Sequence, residues 1–274
     1  MIDVVVLGSG TPNPTPERAA SALAVVDGSA WVLVDCGRAA TQRSLQAGLD
    51  LTAVVAVFLT HHHSDHISDL ATFATTRWTA GAVDPLRVVA PAGPAARYAE
   101  ASLSIFEDLS FHGQAHPQSG SRPRTDVAAF PPTEDVGTVF ADDGWTVSSA
   151  LVDHHPIEPA VGYRVERAGT VVTVSGDTAV CDGMRRLADG ADVLVHEALL
   201  TAAVSPGLLQ WNAGARAVGE LAAATRTRQL VLTHLLPAPA TPHEEDAFVA
   251  ESKAGGYDGP IYVAHDLLHV SAGA

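Results

Sequence analysis

Short apolar runs punctuate the whole chain. DVVVLG, SALAVV, WVLVD, VVAVFL and LRVVA come early, and WTVSSALV, VGYRV, TVVTVS, DVLVH, QLVLTH and PIYVAH follow. Such runs, rich in Val, Ile and Leu and bounded by Gly, Pro, Asp or Ser, predict β-strands. Several are apolar throughout instead of alternating, which implies sheets covered on both faces. Between them, SDLATFATTRW and AGARAVGELAAAT carry apolar residues at helical spacing, the first with a helix starting near Ile67. Early strands follow one another as meanders and later ones alternate with helices. The pattern therefore predicts two packed sheets with helices outside, each half of the chain supplying one sheet. Residues 113–132, GQAHPQSGSRPRTDVAAFPP, are the most loop-like stretch and are expected to form a surface loop.

Composition narrows the class. With 274 residues, 47% of them hydrophobic, the chain can bury a large core, and residues 1–274 are read as one domain. No apolar run reaches the length of a bilayer span. The start, MIDVVVLGSG, lacks a basic leader and is interrupted by Asp3, so a cytoplasmic protein with no membrane partner is expected. Cys36 and Cys181 are far apart and form no CxxC pair, so no disulfide framework is implied. Lys and Arg number 16 against 31 Asp and Glu, a net charge of −15. Affinity for phosphate backbones comes mostly from cationic side chains, so this balance weighs against a nucleic-acid partner.

Candidate chemistry is concentrated where strands end. After VVAVFLT come His61, His63, Asp65 and His66; in an extended segment His61 and His63 project to one side. Imidazole and carboxylate suit zinc and similar ions, and one zinc takes about four ligands. More donors follow at other strand ends: His154 and His155 after SALVD, Asp177 after VVTVSG, and His234 in LVLTH. So many donors predict two metal ions. Asp35, in LVDCG, is placed to accept from a ligand imidazole or to cap a turn.

THHHSDH resembles the HxHxDH motif of the metallo-β-lactamase fold, and the later His, Asp and His occur in that fold's order. The resemblance covers essentially the whole chain, and is closest to the ribonuclease Z-like branch with its arylsulfatase and phosphodiesterase-type members. It implies an α/β protein, a four-layer αββα sandwich. It also implies that His61, His63 and His154 hold one ion, that Asp65, His66 and His234 hold the other, and that Asp177 bridges them. His62 falls on the variable position of the motif, and His154 is preferred to His155 because it directly follows the LVD strand end. The implied cofactor is two divalent ions, zinc first, with manganese or iron(II) as alternatives. Such ions would share and acidify a water, with Asp65 able to orient it. A homodimer is expected by family analogy alone.

Departures from the family pattern refine the reading. Transfer-RNA-processing members carry a long arm between their GY and GDT strands, but here only RVERAGTVVTVS intervenes, a tight hairpin. Where the family usually has a histidine that protonates the leaving group, this chain has Asn212, which cannot shuttle a proton. Asn212 is read either as that altered position or as a helix N-cap. Glu197 in VHEAL is the acid that normally supports the missing histidine. His196 is read as a buried strand-end residue, Arg77 as a helix-surface residue, and Asp266 as a weaker acceptor near the site. The expected function is therefore a dinuclear-zinc hydrolase of small anionic esters, phosphodiester or aryl sulfate. A lactone or carboxylic-ester hydrolase, a transfer-RNA endonuclease disfavoured by the missing arm, and a metal-binding protein without catalysis are the alternatives.

Overall fold

A computed structural model describes residues 2–104, 106 and 122–273. The strands in the first half are β1 (Ile2–Gly8), β2 (Ala22–Asp27), β3 (Ala30–Val34), β4 (Val54–Phe58), β5 (Leu86–Pro91) and β6 (Thr125–Phe130). The second half supplies β7 (Gly137–Asp142), β8 (Trp145–Leu151), β9 (Val161–Arg167), β10 (Thr170–Val174), β11 (Val193–Leu199), β12 (Gln229–Leu236), β13 (Ile261–Val263) and β14 (Leu268–Ser271). They form two seven-stranded sheets, one ordered β14-β1-β2-β3-β4-β5-β6 and the other β13-β12-β11-β10-β9-β8-β7. Each half thus builds one sheet, with one exception: β14 crosses back to pair antiparallel with β1, Val4 opposite Val270. In each sheet parallel pairs (β3–β4–β5–β6 and β10–β11–β12–β13) adjoin antiparallel ones, so both are mixed.

Burial explains the unbroken apolar runs. On β3, Val32 and Val34 face the other sheet, while Trp31 and Leu33 face the helices. On β11, Val193 and Val195 point inward while Leu194 and Ala198 point outward. The inter-sheet core joins Val4, Val25 and Phe58 to Tyr163, Val172 and Val231. Outside the first sheet, Leu70 and Phe73 of the helix Leu70–Thr79 close a second core, and Val218, Leu221 and Phe248 close a third on the other side. The layers run helix, sheet, sheet, helix.

Two expectations need correction. Residues 125–130 are not loop but edge strand β6, parallel to β5, with Val88 opposite Val127. As an edge strand it leaves much of its surface in solvent, so it lacks the apolar signature of the inner strands. Exposed edge strand β7 escapes notice for the same reason. Residues 113–121 of the expected loop lie outside the described residues. Finally, no helix starts at Ile67: a short helix, Ser64–Ile67, precedes Leu70–Thr79, so Asp65 and His66 sit within helical turns. The hairpin from β9 to β10 is as tight as expected, with Ala168 and Gly169 both at positive φ between Arg167 and Thr170. No helix among the described residues is long and apolar enough to cross a membrane.

Candidate metal centre

The loops at one common edge of the two sheets carry the donors. The chain leaves β4 and runs through His61 and His63 into the short helix, while Asp177 follows β10 and His234 lies within β12 near its end. Two backbone features permit this crowding. Gly176 has φ +63°, and a Cβ there would meet the Thr60 side chain at about 2.9 Å. Gly37 lies so close to the Asp65 carbonyl that an added Cβ would fall 1.9 Å from it. The sheets are tied together here as well: the buried Tyr163 hydroxyl donates to the Leu59 carbonyl at 2.7 Å, and Val161 N–H donates to the Thr60 carbonyl at 3.1 Å.

The seven expected ligands converge as two groups that share one carboxylate. Around Asp177 Oδ2 lie His61 Nε2 at 3.8 Å, His154 Nε2 at 3.9 Å and His63 Nδ1 at 4.0 Å. Around Asp177 Oδ1 lie His66 Nε2 at 3.3 Å and His234 Nε2 at 3.5 Å. Asp65 Oδ2 stands 3.2 Å from His234 Nε2 and 3.6 Å from His66 Nε2. Within His61, His63, His154 and Asp177, and again within Asp65, His66 and His234, the donor atoms lie within 4.8 Å of one another. His155 does not join: its side chain is 57% exposed, pairs with Glu158 and packs against Trp211.

Behind the donors, other groups fix the rings. His66 Nδ1 meets Asp35 Oδ2 at 2.7 Å, and Asp35 also accepts from Thr60 N–H and Oγ1. Thr60 Oγ1 reaches His61 Nδ1 at 3.0 Å, and the Trp211 carbonyl reaches His154 Nδ1 at 3.0 Å. Each of these contacts engages Nδ1 and aims Nε2 into the cluster, the arrangement that orients metal-ligating histidines. Glu197 does something similar. One oxygen accepts the Thr178 N–H in a very short bond, while buried Oε2 has no hydrogen-bond partner and faces His234 Nδ1 at 4.0 Å.

The donor set fits divalent ions. Asp35, Asp65, Asp177 and Glu197 are all buried, and such a concentration of carboxylates is costly without cations. His61 Nε2, His66 Nε2, Asp177 Oδ1 and Glu197 Oε2 are buried with no hydrogen-bond partner, as atoms meant for another occupant would be. The protonation equilibria carry the same imprint. Burial, with the neighbouring His66, pushes His61 well below the usual imidazole range. Burial also opposes charge on His66, but the Asp177 and Asp35 carboxylates carry it well above that range. Asp177 is likewise buried, yet His234, His66 and His61 hold it well below the usual carboxylate range. Burial and then Asp177 push Glu197 well above it.

Two sequence-level roles change. Asn212 does not cap the following helix, Ala215–Ala224, whose N-cap is Gly214. Its Nδ2 donates to the Leu208 carbonyl at 3.0 Å, and it lines the cavity over the cluster. Glu197, expected to support a proton donor at that position, has its carboxyl near the Ala213 N–H beside Asn212 and its Oε2 4.0 Å from His234 Nδ1. Arg77 is not a surface residue either: it is buried and bonded to Asp84. Asp266 accepts from Ser9, Ala19 and Arg43, bracing the loop after β1. His196 is buried as expected. Sequence reasoning missed Thr60, the Trp211 carbonyl, and Pro12 and Asn13, which line the cavity from the GTPNP turn. That turn follows a strand toward the site and was the available signal.

Two mixed sheets between helices, with paired His/Asp clusters at their shared edge, define a metal-dependent hydrolase. The chain belongs to the metallo-β-lactamase superfamily: the model of the beta-lactamase superfamily domain matches residues 30–235. A protein named ribonuclease Z from Mycobacterium bovis (strain BCG / Pasteur 1173P2) is 34% identical over 281 residues, covering 98% of each chain. One of the same name from Mycobacterium marinum is 33% identical over 285 residues, covering 100% of each. Among solved structures, the metallo-beta-lactamase fold protein YhfI from Bacillus subtilis superposes with a TM-score of 0.73 at 21% identity, covering 98% of both chains. The short form of human tRNase Z gives 0.72 at 22% identity, covering 99% of this chain and 100% of that one. At these identities the two structures show the fold.

Proposed function

We propose that this chain is a metal-dependent phosphodiesterase acting on RNA, the activity that the relatives' name denotes. The observation that carries this reading is the paired cluster bridged by Asp177, in a chain that aligns end to end with proteins named ribonuclease Z. It reorders the expectation drawn from charge and from the missing arm. The alignment to the M. bovis protein spans 281 residues and 98% of both chains, which leaves little room for a long arm in that relative. The short hairpin therefore does not separate this chain from it. The acidic balance remains, but divalent ions would supply local positive charge.

In this reading His61, His63 and His154 hold one ion, Asp65, His66 and His234 the other, and Asp177 both, with zinc the proposed metal. When bound, such ions acidify water and polarise a phosphoryl oxygen. The protein's own groups do the rest. Although Asp65 is buried, His234 and His66 hold its pKa below the usual range, so it stays a carboxylate that can accept a hydrogen bond from a water and orient it. Asp35, Thr60 and the Trp211 carbonyl keep the imidazoles aimed. The titratable groups lining the cavity, His63, His154, Asp177 and His234, are all proposed ligands. Among the described residues lining the cavity no further titratable group is available as a separate proton donor, which favours the better leaving groups. That observation supports a second reading, hydrolysis of small aryl phosphodiesters or sulfates.

A transfer-RNA precursor with a 3′ trailer, bis(4-nitrophenyl) phosphate and 4-nitrophenyl sulfate, each offered with zinc and with a chelator, distinguish these readings. Zinc-dependent trimming of the precursor is expected. Cleavage of only the nitrophenyl diester or sulfate would favour the second reading, and no cleavage of any of them would sink both.

A further inference from the structure

We propose that the cavity over the cluster is a subsite for one uncharged planar ring of the substrate. In an RNA substrate this ring is the base of the nucleotide next to the scissile phosphate. The inference rests on the phosphodiesterase reading and names what the same site recognises. The cavity measures about 310 Å3 and opens directly onto His63, His154, Asp177 and His234. Its other walls are Pro12, Leu199, Leu208 and Leu236, with the polar residues Thr11, Asn13 and Asn212. It is thus about twice the roughly 150 Å3 apolar cavity that holds a benzene. Apolar walls with a few placed polar groups are the ordinary makeup of a small-molecule site.

The chemistry of the wall selects the occupant. No Lys or Arg lines the cavity among the described residues. Arg18, beneath the adjoining GTPNP turn, is turned inward onto Ser9 and the Ala264 carbonyl. A second phosphate would find no cation on this wall, whereas a flat ring would bury its faces against leucine and proline. Asn212 donates one N–H to the Leu208 carbonyl, and its side-chain oxygen accepts no hydrogen bond among the described residues. That oxygen, with the Asn13 carboxamide, suits the polar edge of a base. Recognition through the ring also accounts for how an acidic chain holds a nucleotide: ring contacts are nearly independent of salt, whereas each backbone contact adds about 0.7 to the salt slope on single strands.

Two measurements on the zinc-loaded protein test this. The first is calorimetric binding of uridine 5′-monophosphate against ribose 5-phosphate, which carries a hydroxyl in place of the base. The nucleotide should bind at least tenfold more tightly, with the ratio unchanged between low and moderate salt. The second compares hydrolysis of methyl, phenyl and thymidine-5′ diesters of 4-nitrophenyl phosphate, which share a leaving group. Both ring-bearing diesters should exceed the methyl ester by at least tenfold in kcat/KM, the scale of an apolar contact in a fitted pocket. Thymidine above phenyl identifies the ring as a base, and phenyl above thymidine as a simple aryl group. Leu208→Trp, on a 39% exposed turn residue and so no threat to the core, should fill the cavity and bring both ratios toward one. Equal binding of the two phosphates, or a methyl ester as good as the others, would overturn the subsite. If no diester is cleaved, the phosphodiesterase reading fails, while the binding pair still decides whether a ring is seated here.

Discussion

His154 and His155 stand side by side in sequence, yet only His154 turns its Nε2 toward Asp177 while its Nδ1 is held by the Trp211 carbonyl. At this scale the decisive matter is which ring nitrogen is engaged from behind. Glu197 offers the sharpest test. Glu197→Gln keeps an oxygen for the Thr178 N–H but presents an amide donor toward His234 Nδ1, so two donors would face each other. Affinity for one of the two ions should fall by about 10- to 100-fold, the usual effect of removing an orienting partner. Competition with a chelator of known affinity measures this. Two ions held as tightly as in the parent would show that Glu197 does not position His234.

At the scale of single elements, the short helix Ser64–Ile67 is held by the Cys36 N–H to His66 carbonyl bond and by the close passage of Gly37. Gly37→Ala cannot fit without moving that helix, because its Cβ would meet backbone rather than a flexible side chain. A loss of roughly 1–3 kcal/mol is expected from the overpacking, and metal stoichiometry should drop with Asp65 and His66 displaced. Denaturant unfolding and elemental analysis check the two effects, and unchanged values in both would refute the close-approach argument. Strand β11 carries a second test. Burial depresses His196 to about 4 from an ordinary 6.5, with Nδ1 on the Glu197 carbonyl and Nε2 unpaired. Above pH 6.5 the ring is neutral in both folded and unfolded chains. Below it the unfolded chain takes up a proton that the folded chain refuses, so stability is lost progressively between pH 6.5 and about 4. The loss is on the order of 3 kcal/mol. Denaturant titrations of metal-stripped parent and His196→Gln at pH 7.5 and 5 should show a weaker acid dependence in the variant; parallel curves would contradict the assignment.

For the whole molecule, the cluster joins loops of both sheets, so metal binding is coupled to their packing. Four buried carboxylates without cations should loosen that edge. Ions held at a thousandfold excess over Kd stabilise by about 4 kcal/mol, which for a chain of this size is on the order of 10 °C in Tm. Chelator-treated protein should unfold lower by that order and recover when zinc is returned. Equal transitions with and without zinc would mean that the cluster binds no ion in the folded state.

What the sequence determined by itself was the set of inner strands and the ligand types at their ends. Inner strands are buried on both faces and must be apolar throughout, so they announce themselves. Donor residues are rare in such surroundings, so His61, His63, Asp65, His66, Asp177 and His234 stood out at the ends of those runs. What the sequence hid follows from the same physics. Strands β6 and β7 are edges with much of their surface in solvent, and no periodicity marks them. The partners of the rings come from distant parts of the chain: Asp35 meets His66 and Trp211 meets His154 only once the sheets have packed. The family resemblance pairs Glu197 with the residue at position 212. In the folded chain Glu197 Oε2 lies 4.0 Å from His234 Nδ1, while the Leu208–Gln210 turn holds Asn212 in the cavity wall. Sequence order records which donors are present; only packing decides which atoms of those donors meet.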